Sequence, residues 1–179
     1  MKIGIIGIGN ITLELATRSA LFGYEVLISN PRGTNVLKEL TCQMGKDVKL
    51  VPMDQAAQAE LIILFLNRED LENALRALPD MKGKIILHTN NPIFNLNETL
   101  DIGSGPSSSD LVATLLPDCF IVKLFNPLHC LTGSKYQSKD RTKIFFTTEN
   151  HKVKKNVKSY LDTLNFTPIE LTELKKLNT

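Results

Sequence analysis

Short apolar runs alternate along the chain with stretches in which apolar residues recur at helical spacing. The apolar runs are KIGIIG, EVLIS, VKLVP, LIILFL, KIILH, CFIVKLF and KIFFTT. Runs that are apolar throughout are typical of parallel strands that are covered on both faces. The helical stretches between them are about 10–22, 34–44, 53–58, 68–78 and 107–116. This alternation predicts an α/β fold with a doubly wound, mostly parallel sheet.

The pattern continues past KIFFTT with one more helix and one more strand. Apolar residues share one face of a helix over 151–164, and FTPIEL then indicates a strand. The chain has no internal repeats, and its 179 residues are an ordinary length for one domain. We therefore predict a single domain over 1–179, in which 151–179 is a C-terminal extension.

A long polar loop, NPIFNLNETLDIGSGPSSS, follows the predicted strand KIILH. Ligands of open α/β sheets bind beyond the carboxyl ends of the strands, so we expect this loop to border a ligand. The alternative is a surface loop that takes no part in binding. Its last residues and the aspartate that follows, SSSD, offer N-cap side chains for the helix predicted at 107–116.

The first strand runs into a Gly-x-Gly turn that opens the first predicted helix. Gly7 allows a tight turn, and Gly9 lets the backbone approach a pyrophosphate without a Cβ atom in the way. The amides of Asn10, Ile11 and Thr12 would then donate to the phosphates. Thr12 stands where a third glycine is expected, so either the helix lies farther out or the hydroxyl bonds to the nearby backbone. The alternative is a tight turn that holds no ligand.

The second strand ends in LISNPRG, where a site for NAD usually carries an acidic residue. Ser29, Asn30 and Arg32 stand there instead. Two hydrogen-bonding side chains and a guanidinium suit a phosphate dianion, because arginine binds it through two charge-assisted hydrogen bonds. The segment therefore favours NADP over NAD. The alternative is that Arg32 is merely exposed in a turn made by Pro31 and Gly33.

The segments MKIGIIGIGNI and SNPRG resemble the NADP-binding domain of coenzyme F420-dependent NADP oxidoreductases. The resemblance continues through AELIILFL, KGKIILHTNNP, SSSDLVATLLPDCFIVKLFN and KIFFTT, and it is most specific from Gly105 to Asn126. The N-terminal domains of pyrroline-5-carboxylate reductases and membrane ferric reductases are similar but more distant. The resemblance implies a Rossmann domain with a short C-terminal extension, in which NADP lies over the glycine-rich turn.

The resemblance implies cofactor contacts beyond the glycine turn and the SNPRG segment. Leu66 and Asn67 match the loop after the fourth strand, which lies along the cofactor, although the family usually has an apolar-Pro pair there. Asn91 and Pro92 match the Asn-Pro that follows the fifth strand, beside the nicotinamide. Pro31 is a further departure, because serine is common at that position.

The resemblance places an acceptor against the nicotinamide, in a cleft lined by the later loops. Asn126 matches the asparagine that ends the family's K-x-F-N stretch, and Pro127 and His129 follow it in NPLHC, where the family often has Asn-Thr. We assign these three residues to the acceptor, whose identity this departure leaves open. His129 would orient or protonate the acceptor, with a structural role as the alternative. We expect His88, at a strand end, to be structural.

The activity that the resemblance implies is hydride transfer between NADP(H) and a deazaflavin or flavin-like acceptor. This transfer needs orientation rather than a protein acid or base, so no catalytic residue is assigned. One alternative is a non-catalytic NADP-binding regulatory module. Another is an imine or keto-acid reductase of the pyrroline-5-carboxylate reductase type. Such reductases usually have a large helical C-terminal domain, and about thirty residues after the strand KIFFTT are too few to form one.

Charge and cysteine content narrow the class of protein. A net charge of +2 gives no reason to expect a nucleic-acid partner. The three cysteines have no C-x-x-C spacing, which predicts reduced thiols and a cytoplasmic protein. No signal peptide, membrane span or metal-ligand spacing is recognised. We expect a small-molecule hydride acceptor as partner, and the sequence leaves a homodimer open.

Overall fold

The computed structural model describes residues 1–33, 35–90, 107–125 and 141–171, which form eight strands and six helices. The strands are β1 Lys2–Ile6, β2 Glu25–Ser29, β3 Val48–Leu50, β4 Leu61–Leu64, β5 Ile85–His88, β6 Phe120–Phe125, β7 Thr142–Thr147 and β8 Phe166–Glu170. The helices are α1 Asn10–Leu21, α2 Asn35–Met44, α3 Met53–Ala56, α4 Arg68–Arg76, α5 Ser108–Leu115 and α6 His151–Thr163.

The described strands form one sheet in the order β3-β2-β1-β4-β5-β6-β7-β8. Strands β1 to β6 are parallel to one another, β6 and β7 are antiparallel, and β7 and β8 are again parallel. The strand order reverses at β1, which has β2 on one side and β4 on the other. This confirms the predicted α/β fold with its mostly parallel sheet. It also places a ligand crevice at the carboxyl end of β1.

Each face of the sheet packs against its own layer of helices. On one face, strand residues such as Ile5 and Leu87 lie in a core with Leu15 of α1 and Val157 of α6. On the other face, residues such as Ile62 and Ile86 form a core with Leu71 of α4 and Val112 of α5. Because both faces are covered, inner strands such as β1 and β4 are apolar along most of their length, as their sequence pattern indicates.

The N-terminus of α5 is capped as the SSSD sequence predicts. Ser107 is the N-cap residue, and its hydroxyl accepts a hydrogen bond from the amide of Asp110 at 3.2 Å. The Asp110 carboxylate accepts in return from the Ser107 amide at 2.9 Å. This reciprocal pair satisfies two amides at the start of the helix and fixes its first residues against the sheet.

The C-terminal helix and strand pack against α1. Arg18 donates to the carbonyl oxygen of Leu164 at 3.0 Å, and its guanidinium carbon lies 4.2 Å from the centre of the Phe166 ring. The hydroxyls of Ser19 and Tyr160 lie 2.8 Å apart in the core. These contacts tie residues 151–170 to the first helix. The domain limits proposed from the sequence stay a prediction.

In the described part of the chain, no helix is both long and apolar enough to cross a membrane. The same residues contain no group of three or more His, Cys, Asp or Glu side chains suited to a metal ion.

Candidate functional site

The turn between β1 and α1 lies between the loops that follow β2 and β4. Gly7 has a φ of +87°, and a Cβ atom there would lie 1.7 Å from the carbonyl oxygen of Phe65. The Gly7 amide donates to the carbonyl oxygen of Ser29 at 2.8 Å. Only glycine combines this conformation with so close an approach of two backbones.

Gly9 leaves room for the aromatic ring of Phe65. A Cβ atom at Gly9 would lie 2.8 Å from that ring. From the sequence, Gly9 is expected to allow the close approach of a pyrophosphate, whereas in the structure the group next to Gly9 is the Phe65 side chain. Phe65 is a residue that sequence reasoning missed, because LIILFL was interpreted as a strand and β4 ends at Leu64.

Thr12 is fully buried and bonds to the backbone of the same turn. Its hydroxyl accepts from the Gly9 amide at 2.8 Å and donates to the Gly9 carbonyl oxygen at 2.9 Å. This is one of the two arrangements expected for a threonine at the third position of the turn. Gly9 is the N-cap residue and has no side chain to cap the first amides of the helix, and among the described residues the Thr12 hydroxyl bonds only to Gly9, so those amides stay available.

The first turn of α1 fits an anion. The backbone amides of Asn10, Ile11 and Thr12 lie in that turn, and amides in the first turn of a helix have no carbonyl partner within the helix. No acidic residue lies in the turn to balance the positive end of the helix. The residues present thus fit a pyrophosphate at the position that the sequence predicts.

The residues after β2 bind partly to their own loop. Ser29 is buried, and the side-chain amide of Asn30 donates to the carbonyl oxygen of Gly33 at 3.1 Å. Arg32 is 54% exposed, and its Nε atom lies 2.5 Å from Oδ2 of Asp70. The guanidinium is therefore at the surface but already paired with a carboxylate of α4.

Asn67 lies on the same guanidinium. With its amide oxygen turned toward Arg32, Asn67 accepts from both terminal nitrogens at 3.0 Å. Asn67 is also the N-cap residue of α4, and Asp70 lies in the first turn of that helix. The sequence singled out Arg32 and Asn67 separately and missed Asp70, which is 38 positions from Arg32. The only signal for it was an acidic residue at the start of a helix near the carboxyl edge.

The loops after β4 and β5 are joined through Asn90. Its side-chain oxygen accepts from the Leu66 amide at 3.1 Å, and its side-chain nitrogen donates to the Leu66 carbonyl oxygen. The Thr89 hydroxyl donates to the carbonyl oxygen of Leu64 at 3.1 Å. Leu66 is buried, so its backbone rather than its side chain defines this part of the edge.

His88 lies at the end of β5 beneath the start of α5. Its Nδ1 atom is 2.9 Å from the hydroxyl of Ser109, and its Nε2 atom has no hydrogen-bond partner among the described residues. Burial, together with the charge of Lys123 on β6, lowers the pKa of His88 to about 4. The ring is therefore neutral at pH 7. Its structural role stays a prediction.

An open cavity of about 450 Å³ lies at the carboxyl ends of β2 and β3. It is lined by Ser29, Asn30, Pro31, Leu50, Val51, Pro52 and Met53. Its walls are mainly apolar, and it lies next to the segment that carries Arg32.

Five of the predicted site residues lie outside the described part of the chain. They are Asn91, Pro92, Asn126, Pro127 and His129. Their assignments to the nicotinamide and to the acceptor stay predictions. For the remaining predicted residues, the structure gives positions at the carboxyl edge, while their contacts with a cofactor stay predictions as well.

Comparison with known families identifies the class of protein. The family model described as NADP oxidoreductase, coenzyme F420-dependent, matches residues 2–92, just over half of the chain. The chain belongs to this family. The F420-dependent NADP oxidoreductase family suspected from the sequence is thus confirmed, and so is NADP as the predicted cofactor.

Individual relatives resemble this family member over nearly its whole length. The rat metalloreductase STEAP3 is 24% identical over 175 residues, which are 97% of this chain but 34% of that protein. A candidate F420-dependent NADP reductase from Arthrobacter sp. FB24 has a TM-score of 0.76 at 22% identity, covering 96% of this chain and 84% of its own. An imine reductase from Aspergillus terreus, solved with NADPH4 and dibenz[c,e]azepine, has a TM-score of 0.67 at 20% identity, covering 95% and 54%.

The oxidoreductase class comes from the family match, and the individual relatives add the fold. The chain spans about a third of the length of the rat metalloreductase. Both solved structures are below 25% identity, so their likeness shows the fold.

Proposed function

We propose that this chain binds NADP(H) across the carboxyl edge of its sheet and exchanges a hydride between the nicotinamide and a deazaflavin or flavin-like acceptor. The observation that carries the proposal is a pair of positive sites at one edge. The first turn of α1 has free amides and no acid, and Arg32 lies in the loop directly after the neighbouring strand β2. A dinucleotide with a 2′-phosphate has two anionic groups to match them.

The described residues would divide the cofactor between them. The amides of Asn10, Ile11 and Thr12 would hold the pyrophosphate, and Arg32 would hold the 2′-phosphate. The mainly apolar cavity between the ends of β2 and β3 suits the adenine ring, because ligand sites are largely apolar with a few polar groups. Leu66 and Asn67 would lie along the cofactor, as the resemblance implies.

The chemistry of the proposed reaction belongs to the cofactor. NADPH supplies a hydride at its nicotinamide ring when it is bound. The chain would bind the dinucleotide, fix the ring against the edge and exclude water from the contact with the acceptor. The paired loops after β4 and β5 support this fixed edge, because Asn90 joins their backbones.

The assignment of the acceptor is based on the family and on the residues that follow β5 and β6 in the sequence. Asn91 and Pro92 would lie beside the nicotinamide, and Asn126, Pro127 and His129 would border the acceptor. Because the family is named for coenzyme F420, a deazaflavin is the first compound to test. We extend the proposal to a small-molecule partner, a cytoplasmic location and a homodimer.

Anaerobic oxidation of NADPH, followed by its absorbance, tests this proposal. We expect oxidation in proportion to added deazaflavin, FMN or FAD. Replacing Pro127 or His129 with tryptophan would slow this oxidation at least about tenfold while changing the affinity for NADPH much less, because only the acceptor side of the cleft is filled. His151→Trp is the matched control, since His151 is exposed on α6.

Two other outcomes would replace the proposal. Tight NADPH binding with no oxidation by any acceptor, and no effect of the tryptophan variants, would indicate a non-catalytic regulatory module. Oxidation with a cyclic imine or a keto acid, but with no flavin or deazaflavin, would indicate a reductase of the pyrroline-5-carboxylate type.

A further inference from the structure

The Arg32 guanidinium contacts two side chains from the other side of the crevice. Arg32 follows β2, whereas Asn67 and Asp70 follow β4, and β1 lies between these two strands. The contacts therefore pass over the carboxyl end of β1, where the glycine turn lies. A 2′-phosphate bound to Arg32 would have to share this guanidinium with groups that already hold it.

The donor geometry of arginine makes this sharing unfavourable. A guanidinium has five N–H donors, and a bidentate anion uses two of them along one edge. With the Asn67 amide oxygen turned toward Arg32, the edge between the terminal nitrogens faces that oxygen, and the Nε atom donates to Oδ2 of Asp70 at 2.5 Å. A phosphate that binds through two N–H groups must therefore displace either the neutral amide or the carboxylate.

The charge of Asp70 opposes the phosphate in both cases. If the phosphate displaces Asp70, the ion pair is lost. If it displaces Asn67, a dianion and a carboxylate remain on opposite sides of one guanidinium and repel each other. Glu69 adds a second negative charge nearby, although the structure gives no hydrogen bond between Glu69 and Arg32.

We propose that Asp70 is a built-in competitor of the 2′-phosphate for Arg32, and that it limits the affinity of the chain for NADP(H). The proposal rests on the proposed function, because it takes Arg32 as the group that holds the 2′-phosphate. Asp70 is a specificity-determining residue in this account. It acts through Arg32 and need not touch the cofactor.

The ion pair is weak enough to be exchanged. The side chains of Arg32 and Asp70 are 54% and 32% exposed, so water and salt screen their attraction. A phosphate dianion offers Arg32 more charge than one carboxylate does. Asp70 therefore lowers the affinity for the phosphorylated dinucleotide without abolishing it.

Calorimetry with 2′,5′-ADP and 5′-AMP tests the proposal, because the two probes differ only in the 2′-phosphate. Asp70→Asn should bind 2′,5′-ADP about three- to tenfold more tightly than the wild type, as expected for one screened charge pair. Its affinity for 5′-AMP should not change. The gain should disappear in the Arg32→Ala background, so that Arg32→Ala and the double variant bind 2′,5′-ADP equally.

Glu72→Gln is the matched control. It removes one negative charge from the same helix, but Glu72 pairs with Arg76 rather than Arg32. If Glu72→Gln gives the same gain as Asp70→Asn, net charge explains the effect and the proposal is wrong. If Asp70→Asn is poorly folded, Asp70→Ser serves as a second variant, because it also removes the charge and keeps a polar side chain in the first turn of α4.

The remaining outcomes separate this proposal from the proposed function. Unchanged or weaker binding of 2′,5′-ADP by a folded Asp70→Asn protein would overturn the proposal, since Asp70 would then be a bystander or would position Arg32. Equal binding of 2′,5′-ADP and 5′-AMP by the wild type would instead overturn the assignment of Arg32 to the phosphate.

Discussion

At the scale of single residues, Thr12 accounts for the missing third glycine of the turn. Its hydroxyl both accepts from and donates to the backbone of Gly9, and the side chain is fully buried. The glycine motif is thus replaced by a hydrogen-bonded equivalent that keeps the start of α1 in place. The Gly9 amide is used within the turn, which leaves the amides of the next three residues for an anion.

Replacing Thr12 with glycine should destabilise the protein. The change removes the two hydrogen bonds and places glycine in the first turn of α1, which together should lower the free energy of unfolding by about 2 kcal/mol. Thr12→Ser keeps the hydroxyl and loses one methyl group, so its loss should be smaller, about 1 kcal/mol. Urea unfolding measures both. Equal stability of the two variants would show that the hydroxyl does not hold the turn.

At the scale of the elements, the loops after β1, β4 and β5 form one connected edge. Phe65 closes over Gly7 and Gly9, and Asn90 joins the loop after β5 to Leu66. The start of α5 adds to this edge, because the Ser109 hydroxyl contacts the ring of His88. A buried neutral histidine thus connects the end of β5 with the first turn of a helix.

This arrangement predicts a pH dependence of stability. The pKa of His88 is about 4 in the folded protein, against about 6.5 for a free histidine, so below pH 6.5 the unfolded chain takes up a proton that the folded chain does not. Stability is therefore full above pH 6.5 and falls as the pH drops toward 4. The loss from this group should reach about 3 kcal/mol.

Unfolding measured from pH 7 to pH 4 in His88→Gln checks this dependence. Over this range the variant should lose about 3 kcal/mol less stability than the wild type, since glutamine does not titrate. His151→Gln, which changes an exposed histidine on α6, should follow the wild type. An identical decline in the wild type and His88→Gln would mean that His88 does not take part.

At the scale of the whole molecule, the sequence predicts the sheet well and the contacts between loops poorly. Local apolar runs identify the strands, and the glycine turn follows from the residues on either side of it. The reversed direction of β7 and β8 does not follow from local pattern, because a strand has the same composition in either direction. The pairing of Arg32 with Asp70 joins residues from two different loops, and the contact of Phe65 with Gly9 depends on where β4 ends.

Calorimetry with NADPH and NADH shows whether the carboxyl edge selects NADP(H) through Arg32. The wild type should bind NADPH more tightly than NADH. Arg32→Ala should weaken NADPH binding by about tenfold to a hundredfold, as expected for the loss of charge-assisted hydrogen bonds, and should leave NADH binding nearly unchanged. Equal affinities of the wild type for NADPH and NADH would contradict the account.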